Sequence, residues 1–268
     1  MRRRSATRSR PERARRNPLR MNVEFAAVVL APGLAVGSFL NVVAARLPLQ
    51  RSIVSPGSAC PSCETSIAWY DNVPLVSYAV LRGRCRHCGV SISWRYPAVE
   101  AATAVLVACC ALKFGFSWDF LVAAVFCAVL VAISATDLER QIIPNRIVLP
   151  ATVVLLAAQT ILDPSVEWIA AGLAAAAFFL IAALAYPGGM GMGDIKLALL
   201  LGVVLGRTVA VAVMVGMLTA LVPSVAVIAK HGKAGRKMKI PFGPFLAIGG
   251  VVALFAGHAI LDWYWKAR

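Results

Sequence analysis

Eight apolar runs, each near the length that crosses a bilayer, take up most of this chain: 25–45, 98–113, 118–136, 146–162, 167–186, 195–206, 208–229 and 242–262. A lipid interior offers no water to backbone N–H and C=O groups, so such runs are confined to helices. At about 20 residues per crossing, 268 residues leave room for little else. The expected fold is an all-α polytopic membrane protein with about eight transmembrane helices. Composition agrees, at 60% hydrophobic and a mean hydropathy of +0.77, more apolar than soluble domains. The sixth run is short, and its boundary with the seventh falls near Arg207. No cleavable signal peptide is evident, because the first apolar run continues as a full span.

Charge sets the orientation, since Lys and Arg favour short cytoplasmic loops. Segment 46–97, loop 137–146, Lys196 and loop 230–239 together carry fourteen basic residues and fall on one side of an eight-span bundle. The other side, outside the N-terminal tail, has only Lys113, Arg207, Lys266 and Arg268. The first side is therefore cytoplasmic. The tail disagrees: residues 1–20 hold nine arginines, yet eight spans put both termini outside. Translation from Met21, a re-entrant first span, or a tolerated outer tail would each resolve this, and the first is favoured. The chain then divides into a basic tail (1–20), a first helix (21–45), a cytoplasmic insert (46–97) and a membrane core (98–268). Basic loops of this kind contact lipid headgroups. Nucleic acid is not an expected partner, since the tail has no interleaved aromatics.

The insert holds Cys60-Pro-Ser-Cys63 and Cys85-Arg-His-Cys88. Each pair can place two thiolates on one turn, and two turns complete a tetrahedral zinc site. So small a region needs the metal as folding energy. Disulfides are the alternative, and a reducing cytoplasm argues against them. Iron–sulfur is a weaker fit. His87 is expected to be solvated. Cys109, Cys110 and Cys127 lie in spans and carry no assigned chemistry. Asn41 interrupts the first apolar run near Gly33, Gly37 and Ser38, where it is expected to bind a packing partner or lie near a substrate. Glu100 is expected at the interface, paired with Arg95, and Glu139 in solvent.

Two acids stand where a helix meets the cytoplasm. Asp137 follows the third run, and Asp194 sits in Gly188-Gly-Met-Gly-Met-Gly-Asp-Ile-Lys196. A charge beside a hydrocarbon-length segment is costly and points to function. If the two meet, one keeps a proton because neighbouring carboxylates do not both ionise cheaply. They would then serve as general base and general acid. No Ser/His arrangement or H-E-x-x-H motif competes. The bland alternative is two helix-end aspartates satisfied by water or arginine.

Taken together, the motifs resemble the type 4 prepilin peptidases, the bacterial membrane aspartic proteases with a G-x-G-D motif. The blocks are Gly33-Leu-Ala-Val-Gly-Ser-Phe-Leu-Asn-Val-Val, the two cysteine knuckles with Asp71-Asn-Val-Pro between them, and Arg95-Tyr-Pro-Ala-Val-Glu100. They continue with Asp137-Leu-Glu, Ile143-Pro144, Gly191-Met-Gly-Asp-Ile-Lys-Leu197 and Pro241-Phe-Gly-Pro-Phe-Leu246. The resemblance implies a multi-pass protein of the bacterial inner membrane with Asp137 and Asp194 as catalytic dyad and Cys60, Cys63, Cys85 and Cys88 as zinc ligands. It implies prepilin and pseudopilin substrates cut after a basic leader. It also implies N-methylation of the new amine by S-adenosylmethionine, for which no pocket is legible in the sequence. Asn145 departs from the family, which often has a second acid there. The rival reading is a membrane transporter with a regulatory zinc ribbon, which would hold its acids near the bilayer midplane.

Overall fold

The computed structural model describes residues 18–186, 189–232 and 240–267. Most of the expected tail, Pro187-Gly188 and most of the basic 230–239 loop lie outside the described residues. The long helices are α1 (Pro18–Arg46), α3 (Arg95–Phe114), α4 (Trp118–Arg140), α5 (Asn145–Leu162) and α6 (Glu167–Ala185). They continue with α7 (Met192–Leu205), α8 (Val209–His231) and α9 (Gly243–Lys266), while a five-residue helix, α2 (Val76–Val80), lies in the insert.

Among the described residues, seven stretches are long and apolar enough to cross a membrane, and one of them, Met192–His231, runs for 40 residues. It is two crossings. Gly206 breaks it at φ 55°, in a region that glycine enters freely. Glu167 holds the break by accepting from the Arg207 N–H at 2.8 Å. Beyond it the chain turns back. A Cβ on Gly257 would meet Thr208, and one on Gly216 would meet Leu246, so α8 runs antiparallel to α9. The boundary expected near Arg207 is therefore observed. With 14 residues, α7 is about 21 Å long, shorter than a typical hydrocarbon core.

Hydrogen bonds sort these residues onto the two ends of the bundle. At one end Asn41 Nδ2 donates to the Tyr96 carbonyl (3.0 Å), Arg95 to Glu139 (2.9 Å) and Lys196 to Asn145 (2.7 Å). At the other, Asn22 donates to the Leu112 carbonyl (3.1 Å) and Lys113 to the Leu254 carbonyl (2.7 Å). Because α1 joins α3 at both ends, it crosses fully, and the re-entrant alternative falls. Asn41 is a packing residue, as one of its two readings expected.

The centre is built by α4, α7 and α9. Phe126, Leu130 and Ile133 of α4 and Leu197, Leu200 and Leu201 of α7 are fully buried. Gly250 of α9 lets Leu130 and Leu201 close over its backbone. The outer helices present apolar residues such as Val153, Leu173 and Leu218 to the surroundings, as lipid contact requires. With no hydrophobic force between helices in lipid, close approach at small residues holds them together. The α8–α9 pair meets where Gly249 lies against the Ala212 carbonyl, and α6–α7 meets where Gly202 lies against Ala171 and Gly172.

Replacing Gly249 by valine forces its Cβ into the Ala212 backbone. The expected cost is about 1–3 kcal/mol or more, as for overpacked cores. A lowered thermal midpoint of the purified protein in detergent checks it.

Candidate active site and metal centre

The insert is built from two copies of one turn. In the first, the Cys60 N–H donates to the Thr65 carbonyl at 3.0 Å and Glu64 N–H to the Cys60 carbonyl at 2.9 Å. In the second, the Cys85 N–H donates to the Val90 carbonyl at 2.8 Å and Gly89 N–H to the Cys85 carbonyl at 3.0 Å. Glu64 and Gly89 both take positive φ, 56° and 69°. The isolated bridges Ala59–Ser66 and Arg84–Ser91 close the turns in the same way. The four sulfurs all lie within 4.8 Å of one another, and Cys60 and Cys88 are 3.8 Å apart. A tetrahedral metal with bonds of about 2.3 Å would separate its sulfurs by nearly that much. The cysteines are free thiols, so the disulfide alternative is not the observed one.

The ionisation of the cluster fits a cation. The Thr65 hydroxyl and backbone N–H hold the Cys63 thiol down to about 6. Backbone groups of Cys88 and His87 lower Cys85. At Cys88 the Val90 backbone lowers the pKa, but burial and the three other sulfurs outweigh it and push the thiol up to about 11. Four sulfurs this close do not all ionise without positive charge among them, and a metal ion supplies it. Beside the cluster, Arg86 grips both oxygens of Asp71 at 2.7 and 2.6 Å and holds that carboxyl below its ordinary value.

Asp137 lies one turn from the C-terminal end of α4 and is 5% exposed. Its Oδ2 accepts from the backbone N–H of Gly243 at 2.9 Å. Gly243 opens α9, where free N–H groups carry partial positive charge. A Cβ on Gly243 would sit 2.8 Å from that oxygen, so this approach requires glycine. Asp194 is the third residue of α7, and its Oδ2 accepts from the Gly191 N–H at 3.1 Å. Its helix start packs on the α4–α5 loop, where a Cβ on Gly193 would meet Ile143 at 2.8 Å. Ile143 follows α4 by three residues, so the packing of Gly193 on it sets the start of α7 beside the end of α4 that carries Asp137. The two acids thus share one end of the central helices, on the side that carries the insert.

Some neighbours differ from expectation. Glu139 is exposed, as expected, and also takes the Arg95 guanidinium. Arg95 therefore does not pair with Glu100, which turns inward and accepts from the Leu75 N–H at 2.9 Å. Asn145 accepts from Lys196, two residues past Asp194, and ties the start of α5 to the start of α7. The part of Gly243 was not read from the sequence. The signal for it was present as a glycine between two prolines at a helix start, where the chain is stiff and a carboxylate can come close.

Two family models match the chain. The bacterial peptidase A24 N-terminal domain covers residues 31–114 and the type IV leader peptidase family covers residues 124–227. A protein of Bacillus subtilis (strain 168), named prepilin leader peptidase/N-methyltransferase, is 38% identical over 87% of this chain and 95% of its own length. The chain belongs to the type IV leader peptidase family. Proteins of the same name from Burkholderia pseudomallei (strain 1026b) and Pseudomonas aeruginosa are 35% and 34% identical over 90% of this chain, covering 87% and 93% of their own lengths. No solved structure gives a significant match. Within this leader peptidase, the N-terminal family model takes in the cysteine insert and the second model takes in both acids.

The leader peptidase is expected to purify with about one equivalent of bound metal by elemental analysis. Replacing Cys60 and Cys88 by serine should bring that content close to zero and make the 46–97 insert the first segment cut by added protease.

Proposed function

We propose that Asp137 and Asp194 are the catalytic pair of a membrane-embedded aspartic endopeptidase, a prepilin leader peptidase of the bacterial inner membrane. Family membership over most of the chain supports the activity, and the Gly243 clamp on Asp137 is the observation that carries the residue assignment. A carboxylate removed from bulk water beside a helix start has a fixed direction, as a general base needs. The ionised acid takes a proton from water, and the oxygen of that water attacks the scissile carbonyl carbon. The protonated acid gives its proton to the carbonyl oxygen. The tetrahedral carbon then expels the amine, which leaves protonated, and the acids return to sharing one proton.

The position suits a substrate whose basic leader stays in the cytoplasm while the following segment lies in the bilayer. Prepilins are the substrates given by the relatives' name, and pseudopilins are included in the proposal. The glycine-rich Gly189–Gly191 segment leads into α7, and its Gly191 N–H holds the Asp194 carboxylate. A transporter would carry its acids near the midplane, whereas Asp137 and Asp194 each lie within a turn of a helix end.

The relatives' name also includes N-methyl transfer, so the second activity is methylation of the newly exposed amine, with S-adenosylmethionine as the proposed donor. The metal proposed for the four cysteines is zinc, in a structural role. Its closed four-sulfur set leaves no position for substrate.

Asp137→Asn and Asp194→Asn are each expected to leave a folded, membrane-inserted protein that removes leader at least about a thousandfold more slowly, within the range for a lost acid or base. Cleavage of a matched prepilin in detergent, followed by mass, tests this; parental rates in either variant would overturn the assignment. Gly243→Ala displaces the carboxylate without removing it. It should slow cleavage by about a hundredfold, the usual effect of a misplacement near 1 Å, in the same assay.

A further inference from the structure

Two cavities flank the start of α3. One, of about 480 Å³, lies beneath the insert at the ends of α1 and α3. The other, of about 560 Å³, lies on a different face of α3, between α3, α4 and α9. The second is a groove. Its floor is α4, on which both α3 and α9 pack. Val105 on one wall and Ile248 on the other are 56% and 47% exposed, so the side between them is open. On α3 the lining runs from Trp94 to Leu106, about 18 Å of helix. On α4 it runs from Leu130 to Leu138, about 12 Å.

The two ends of the groove differ. At one end Ser134 and Leu138 line it, with Asp137 between them in the chain, and Pro244, the residue after Gly243, lines the facing wall. The contact between Asp137 and Gly243 therefore stands at the mouth. The Arg95–Glu139 ion pair is at the same end. At the other end Lys113 crosses from α3 to the Leu254 and Phe255 carbonyls of α9, at 2.7 and 2.9 Å, and draws the walls together. The groove is thus closed at its far end and open at the end that holds Asp137.

Below Trp94 and Arg95 the lining carries one polar side chain among the described residues, Ser134, whose hydroxyl donates to the Leu130 carbonyl of its own helix at 2.8 Å. Nothing in that stretch can pair with an extended backbone. A peptide held there must satisfy its own N–H and C=O groups, which a helix does. The walls suit one. Ala98 and Ala102 stand four residues apart on α3, with Ala247 on α9, and small residues at that spacing let a helix come close. A different face of α3 holds α1, where Gly33 and Gly37 meet Ala104 and Glu100, so the groove face is free of that packing.

We propose that this groove seats the apolar segment of the substrate as a helix, with its first turn against Ser134 and Pro244, and that the bond to be cut lies just past that turn, at Asp137. The proposal rests on the peptidase reading above and adds where its substrate is held. A helical carbonyl already accepts an N–H from the next turn. The segment must therefore unwind at the mouth before its scissile carbonyl can take a proton. An acyl chain of a membrane lipid is the competing occupant, but it gives no part to the alanine spacing or to the opening beside Asp137.

The test uses the full chain in phospholipid vesicles with a matched prepilin. Val105 and Ile248 are replaced singly by a benzophenone amino acid, with Val153 and Leu218 as controls on other exposed faces. Illumination is expected to join prepilin to positions 105 and 248, through its apolar segment, and to leave the controls at background. In a second arm, Ala102→Trp fills the groove. It should raise KM for prepilin at least about tenfold, or 1.4 kcal/mol, with the loss chiefly in KM, while Leu173→Trp on α6 changes neither constant. An unchanged KM in a folded Ala102→Trp protein would overturn the proposal, and if that variant misfolds the cross-links decide alone. Groove adducts from a protein whose Asp137→Asn variant still cuts would sink the dyad and keep the groove. Cutting that needs both aspartates, with prepilin joined to the controls instead or with lipid as the one adduct at 105 and 248, would sink the groove and keep the dyad.

Discussion

A carboxylate buried against the first turn of another helix governs this structure. Asp137 is almost hidden from solvent and is met by the Gly243 N–H, so the end of α4 is tied to the start of α9. A charge in that position is expensive unless donors are aimed at it. The start of α9 supplies one because its first N–H groups have no helical partner. The stiffness of Pro241-Phe-Gly-Pro244 keeps that start in place, and the missing side chain at Gly243 lets the oxygen in.

The rest of the core serves the same end. The buried leucines and phenylalanine of α4 and α7 bring Asp194 to the end of the bundle that holds Asp137. Short α7 need not span a full bilayer because it turns at Gly206, held by Glu167, and α8 returns to deliver α9. Lys196 and Asn145 fix the starts of α5 and α7 to each other. The amide at Asn145 gives Lys196 a neutral acceptor and adds no further negative charge there.

The insert works by another principle. It has too little apolar surface to fold by burial, and its order comes from two equivalent hydrogen-bonded turns that converge four sulfurs. Those turns also set the roof over α1 and α3. A metal centre can thus shape the cavity beneath it without touching the two acids.

The apolar crossings and the two cysteine knuckles were legible in the sequence, for a physical reason. A lipid interior leaves helices as the way for such apolar runs to satisfy their backbone, and metal-binding turns are local in the chain. The motifs also named Asp137 and Asp194 as acids at helix ends. What they touch was not legible. That Gly243 clamps Asp137, that Arg95 goes to Glu139 and leaves Glu100 to turn inward, and that a cavity opens beneath the insert all depend on groups far apart in sequence. Tertiary packing alone decided these, because a helix's sequence states which residues are apolar but not which neighbouring backbone comes within 3 Å of its one charge.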